Sequence, residues 1–251
     1  MKYFSLAGVL FLTCIAGSIH AAEPEAADII RQAWEHMRGQ SSSGEMQMTI
    51  HRPDWERTMA MRSWSEGTER SLVRVTQPRK DAGNATLIDG REMWSFSPKI
   101  NRIIKVPSSM MSQSWMGSDF SNRDISRSAE IVDQYEHKML SSEVQDGVTV
   151  YVIESVPFED SSIVWGKEVV TIRDDYVLLR HEFYDQAGEL VKVMETLEIK
   201  EMGGRDTASR QRMGDVEAPD EWTEIEVLSV EFDIELSKSI FTLSNLRNPR
   251  D

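Results

Sequence analysis

After residue 44 the chain is a succession of short period-two segments joined by turns too short to hold a helix. Met46, Met48 and Ile50 alternate with Glu45, Gln47 and Thr49. Similar segments run over Thr58–Trp64, Ser71–Thr76, Ala85–Ile88, Glu92–Phe96 and Ile103–Val106. The pattern resumes over Val148–Val156, Glu168–Arg173, Val177–Tyr184, Leu190–Lys200, Arg205–Met213 and Thr223–Ile234. Asp89-Gly90, Asp146-Gly147 and Ala187-Gly188 fall between segments, where hairpin turns need glycine. Parallel strands need a crossover of a dozen or more residues, so short turns force antiparallel neighbours. The expectation is about ten or eleven strands in one meander.

Two segments depart from that rhythm. Pro24–Arg38 carries Ala26, Ile30, Ala33, Trp34 and Met37 on one helical stripe, with Glu25 and Asp28 in the first turn and Gly39 after the last. Ser108–Ala129 is rich in Ser, Met and Asp, and its Ser121-Asn122-Arg123-Asp124 reads as a capping box opening a short helix. About two helices must then cover one face of the sheet. A mainly β (α+β) fold follows, with a single curved antiparallel sheet and helices over its concave side.

Met1-Lys2-Tyr3 followed by the apolar Phe4–Gly17 and small residues near Ala21 reads as a secretion signal spanning residues 1–21, leaving one domain over 22–251. Leu12-Thr13 precede Cys14, where a lipidation site wants a small residue, so Cys14 is expected to leave with the leader. It is the sole cysteine, so the mature chain would have no disulfide and no thiol chemistry. The expected location is the periplasm. A formal charge of −14 disfavours nucleic-acid binding. Beyond the leader no apolar run reaches the ~20 residues of a membrane span, which leaves only peripheral, transient membrane contact.

The residues assemble no catalytic site. The histidines lack the spacing of a metal site, and no nucleophile elbow or phosphate-cradling glycine loop is present. Neither a cofactor nor a metal is expected. What stands out is methionine: nine of the 13 that follow Met1 lie between residues 37 and 116, and Trp55, Trp64, Trp94 and Trp115 share that stretch, with Trp34 just before it. Methionine is flexible and polarisable, so it suits a surface that accommodates apolar ligands. The expected hydrophobic cavity is lined by Trp34, Met46, Met48, Met59, Met61, Trp64, Trp94 and Phe96, with Met110, Met111, Trp115, Met116 and Phe120 as a lid.

Trp94-Ser95-Phe96-Ser97-Pro98-Lys99, then Arg102, Lys105 and Pro107, then Ser114-Trp115-Met116-Gly117-Ser118-Asp119-Phe120-Ser121, resembles the signature of the LolA-like outer-membrane lipoprotein-sorting proteins. With the leader, the first helix and Phe241-Thr242, the likeness covers essentially the whole mature chain. The resemblance implies an incomplete antiparallel β-barrel whose mouth is closed by helices around a cavity for lipid or lipoprotein acyl chains. It implies a non-catalytic carrier, or an accessory module docking on an inner-membrane transporter of the resistance–nodulation–division type. By the same resemblance an arginine controls the lid, and Arg62 is the candidate. Asn122-Arg123-Asp124-Ile125 departs from the pattern, where an aromatic and a leucine are expected, and the exposed leucine loop of the founding carriers is missing.

Overall fold

The computed structural model describes residues 24–249; the leader, with Cys14, lies outside the described residues. The first amphipathic stretch forms α1 (Ala26–Arg38), ended by Gly39 at φ 64°, a left-handed conformation that glycine adopts without strain. Its buried stripe is Ile29, Ile30, Ala33 and Trp34.

Thirteen strands follow in one unclosed, curved antiparallel sheet. They are β1 (Ser41–Arg52), β2 (Trp55–Glu66), β3 (Arg70–Gln77), β4 (Ala85–Asp89), β5 (Glu92–Ser97), β6 (Arg102–Lys105), β7 (Tyr135–Gln145), β8 (Val148–Pro157), β9 (Lys167–Arg173), β10 (Leu178–Tyr184), β11 (Leu190–Met202), β12 (Arg205–Asp215) and β13 (Trp222–Phe232). The expected ten or eleven is corrected upward. The unforeseen strand is β7, an edge strand with only Tyr135 fully buried and His137, Met139 and Ser141 half-buried on its inner side. A strand that packs one face and ends the sheet carries polar residues along most of its length, so its apolar alternation is weak.

The order across the sheet is β6-β5-β4-β3-β2-β1-β13-β12-β11-β10-β9-β8-β7. Two meanders meet at a seam where the first strand pairs with the last. Gly44 lies on that seam, and a Cβ there would come within 2.6 Å of the Ser229 carbonyl oxygen. The topology has a direct consequence for function. β6 and β7 are consecutive in the chain yet form opposite edges of the sheet, so residues 106–134 must cross its whole width. They do so over the concave face, as a 3₁₀ turn (Ser108–Met110), α2 (Asn122–Ser126) and α3 (Glu130–Asp133). The capping box forms as expected: Ser121 Oγ accepts from the Asp124 amide and Asp124 accepts from the Ser121 amide.

Register fixes which side chains face inward. Met48 lies opposite Met59 and Ile225, and Met46 opposite Met61 and Val227. The four methionines and Ile225 make one inner cluster with Ile50, Val75, Ile88 and Met93, closed by Met111 and Trp115 from the crossing segment. At the other end α1 packs against Ile153, Val170, Ile172 and Leu178.

The convex face has a cover of its own. Trp64, Leu72, Leu87 and Trp94 are cross-strand neighbours on β2–β5. They pack with Ala85 and Phe96 against Phe241 and Leu246, from the C-terminal 3₁₀ turn (Lys238–Phe241) and α4 (Leu243–Arg247). Arg74 donates to the carbonyls of Asn245 (2.8 Å) and Leu246 (3.2 Å), satisfying oxygens that a helix C-terminus leaves unpaired.

Candidate functional site

The inner side of the sheet holds two adjoining hollows. One, of about 210 Å³, lies beneath α1 and is lined by Trp34, Phe120, Ile131, Leu178, Phe183, Met194 and Met213 among others. The second is a trough of about 310 Å³ along β1, β2 and β13, lined by Met46, Val73, Trp115, Val227 and Val230. Met37, Ile125, Leu178, Gln211 and Ile225 border both. Together they fall within the size and apolar character of ordinary small-ligand sites.

The crossing segment roofs this space and is pinned at several points. The Trp115 indole N–H donates to Thr86 Oγ1 (3.0 Å) on β4. Asp119 takes both ends of the Arg52 guanidinium (3.0 and 3.1 Å) on β1 and the Thr223 hydroxyl (2.6 Å) on β13. Lys192, on β11, donates to the Asp119 carbonyl (3.0 Å) and to the Asp124 carboxylate (2.9 Å). Met116 and Gly117 turn the segment at φ 54° and 82°. Nothing lies within 4 Å of a Cβ built on Gly117, so the backbone conformation and not space calls for glycine there. The Met-Gly-Ser-Asp-Phe-Ser string is therefore a strap: its turn, its buried Phe120 and its Asp119 each serve to fasten the roof.

The sequence expectations divide. Trp34 and Phe120 line the pocket, and Met46 and Trp115 the trough. Met48, Met59, Met61 and Met111 are buried but pack together as a filled inner core, with half-buried Met116 against them. Flexible thioethers fill irregular gaps well, so this methionine cluster abuts the hollow space and does not enclose it. Trp94 and Phe96 belong to the convex face, because they alternate with the inward Met93. Trp64 borders the trough but packs in the same convex cluster. Met110 is 40% exposed and stands outside the roof. Arg62 is exposed, with its guanidinium 5.0 Å from the centre of the Trp64 ring. Next to the inward Met61 it points outward, away from the roof; the arginines that reach the roof from the strands include Arg52, through Asp119, and Arg57, through the Met116 carbonyl (3.4 Å).

Residues that the sequence did not single out form a polar pole in the pocket wall. Glu168 on β9 is 5% exposed. It accepts from the Tyr135 hydroxyl on β7 and lies 2.6 Å from His181 Nε2 on β10. His181 stacks on Phe183 at 4.1 Å and makes a T-shaped contact with Trp34 at 5.9 Å. Around the pocket the remaining charges are matched: Glu130 takes Arg123 (2.7 Å) and Arg127 (2.9 Å), and Asp124 takes Lys192. The available signal was a glutamate and a histidine at inward positions of otherwise apolar strands.

Burial, reinforced by the Glu168 charge and hydrogen bond, drives the Tyr135 phenol far above its ordinary range. The unfolded chain ionises this tyrosine near pH 10 while the folded chain does not, so its contribution to stability is complete below about 10 and is lost as pH rises beyond that. Unfolding midpoints in urea measured from pH 8 to 11 should fall less steeply for Tyr135→Phe than for the parent chain. Parallel curves would show that the phenol does not titrate with folding.

Three solved structures share the architecture. A DUF1329 family protein from Desulfovibrio piger is 25% identical with a TM-score of 0.79, over 88% of this chain and 97% of that one. A putative outer membrane lipoprotein-sorting protein domain from Vibrio parahaemolyticus is 24% identical at TM-score 0.76, over 88% and 98%. A LolA superfamily protein from Nitrosomonas europaea is 26% identical at TM-score 0.71, over 87% and 98%. No curated protein matches the chain. The curved sheet with its strapped inner hollow is thus a LolA-like fold. Within that class, a family model described as "Uncharacterized protein" matches residues 67–248, and the chain belongs to that family.

Proposed function

We propose that this protein is a non-catalytic periplasmic carrier that holds acyl chains of a lipid or lipoprotein between the sheet and its roof. The observation that carries this reading is the pair of adjoining apolar hollows beneath a roof held by polar clasps. Each buried methylene contributes about 0.8 kcal/mol, so a single acyl chain supplies ample affinity without a polar code. The lipoprotein-sorting and LolA superfamily descriptions of the structural neighbours point the same way. The Arg52–Asp119–Thr223 clasp and the Trp115–Thr86 bond are the contacts that a cargo would have to loosen to enter.

Native mass spectrometry of the protein purified from the periplasm should show adducts in the mass range of lipids that disappear after solvent extraction. The extracted protein should then bind a neutral fluorescent probe such as N-phenyl-1-naphthylamine. A clean apo mass together with no probe binding would overturn the carrier reading.

A further inference from the structure

Independently of what fills the hollow, we propose that one corner of the sheet, at the β3–β4 and β5–β6 connections, docks on an anionic phospholipid bilayer. The charge of the chain is strongly segregated. Residues 70–107 hold eight Lys and Arg against three Asp and Glu, in a chain that holds 28 against 42, which leaves 20 against 39 elsewhere. Two connections gather the positive charge. The β3–β4 loop carries Arg79 and Lys80, the β5–β6 turn carries Lys99 and Ile100, and Arg102 opens β6. They lie against each other: a Cβ built on Gly83 would come within 3.3 Å of the Pro98 ring. Arg79, Lys80, Lys99 and Arg102 are all exposed, and none forms an ion pair among the described residues. Ile100 stands among them on the turn, 59% exposed.

Little at this corner neutralises the cations. Of the acids on the same end of β1–β6, Asp81 is buried and held by Arg57 (3.0 Å), and Glu56 lies 3.3 Å from His51, which leaves Asp54. An apolar side chain among flexible exposed cations suits a flat interface, where the cations meet phosphate groups and the isoleucine enters the acyl boundary. A protein partner would be served better by a groove, and neither hollow of the sheet is lined by these residues. The orientation follows from charge. His51 pairs with Trp222, so the β12–β13 turn lies at the same end beyond β1, and it carries Glu217, Asp220 and Glu221. An anionic surface repels that side and leaves the β3–β6 corner to make contact. Arg57 also donates to the Met116 carbonyl (3.4 Å), so the docking loop is tied to the turn of the roof strap.

The test is flotation of the purified protein with vesicles of phosphatidylcholine alone or mixed with one-third phosphatidylglycerol, over a series of salt concentrations. The protein should float with the mixed vesicles at low salt, lose them as salt rises, and leave phosphatidylcholine unbound. A basic side chain near an anionic surface contributes about fivefold to binding, so Lys80→Ala combined with Lys99→Ala should weaken it about 25-fold. Arg91→Ala combined with Lys138→Ala makes the same change in net charge away from the corner, and should leave binding within about twofold. Ile100→Ser should weaken binding by a similar factor at every salt concentration, because its part is not electrostatic. Should the Lys80 and Lys99 double variant fail to fold, each single variant decides, with a loss of about fivefold. No flotation with the mixed vesicles, equal flotation with phosphatidylcholine, or equal losses in the two double variants would overturn the inference. Capture of an acidic protein by the parent without flotation would overturn it too, and would give the corner to a protein partner. Binding of N-phenyl-1-naphthylamine reads the hollow separately: it should be unchanged by Lys80→Ala with Lys99→Ala, so loss of docking leaves the carrier reading intact.

Discussion

Replacing Arg52 with methionine should lower the unfolding free energy by about 2–4 kcal/mol and should loosen the roof before it unfolds the sheet. Removing one member of a buried ion pair costs about 3–5 kcal/mol, because the other charge stays buried without its partner. Here Arg52 and Asp119 are still 15% and 14% exposed in their side chains, so the cost straddles the lower end of that range. Asp119 would keep the Thr223 hydroxyl but lose both guanidinium bonds. Arg52 also reaches Glu221 at 3.2 Å, a pair that is more exposed and adds little. Arg52→Lys keeps the charge but not the two-pronged geometry, and should fall between methionine and the parent. Urea unfolding gives the total cost, and hydrogen exchange shows where it falls: the amides of Trp115–Ser121 should lose protection well before those of β8–β10. Adding Asp119→Asn to Arg52→Met removes the stranded charge and should recover part of the loss. Uniform loss of protection over the sheet, or no recovery in the double variant, would contradict a clasp that acts on the roof.

The sheet was legible in the sequence because period-two alternation and glycine turns are local signals. β1–β6 and β8–β13 follow directly from them. Pairing of β1 with β13 was not legible, since no local feature says which distant strand completes a seam. That pairing places β6 and β7 at opposite edges and makes the Met-Gly-Ser-Asp-Phe-Ser segment a roof strap. The composition of Ser108–Ala129 marked it as exceptional, and the capping box at Ser121 was read from four residues, but its route over the sheet depends on the global topology. The cavity was read less well, because methionine content does not distinguish a filled core from an empty one. Met48, Met59 and Met61 fill their space, whereas the hollow is bordered by Trp34, Phe183 and Met194 from elements far apart in the chain. Parity alone would have moved Phe96 to the convex face, given that Met93 faces inward. What covers that face, the C-terminal Phe241 and Leu246, came only with the tertiary structure.

Trp34 should be the most costly single truncation in the pocket wall: Trp34→Ala is expected to lose about 3–5 kcal/mol. The side chain is 4% exposed and serves three elements at once. Its six-membered and five-membered rings fill the space between α1 and the sheet and make a T-shaped contact with His181, and its N–H donates to the Ser128 carbonyl (2.7 Å) between α2 and α3. Alanine opens a void and strands that carbonyl, and both effects have the same sign. Trp34→Phe separates them, since a phenyl ring keeps much of the volume and loses only the hydrogen bond, for about 1–2 kcal/mol. The void adjoins the 210 Å³ pocket, so Trp34→Ala enlarges a ligand site as it weakens the fold. A ligand that fills the added space stabilises by RT ln(1 + [L]/Kd), and monopalmitoylglycerol should therefore restore part of the lost stability. Urea midpoints with and without that lipid measure both quantities. A cost below about 1 kcal/mol for alanine would mean that α1 does not bear on the sheet through this residue. A full cost with no stabilisation by lipid, in a variant that still folds, would show that the hollow beneath α1 does not take up hydrocarbon.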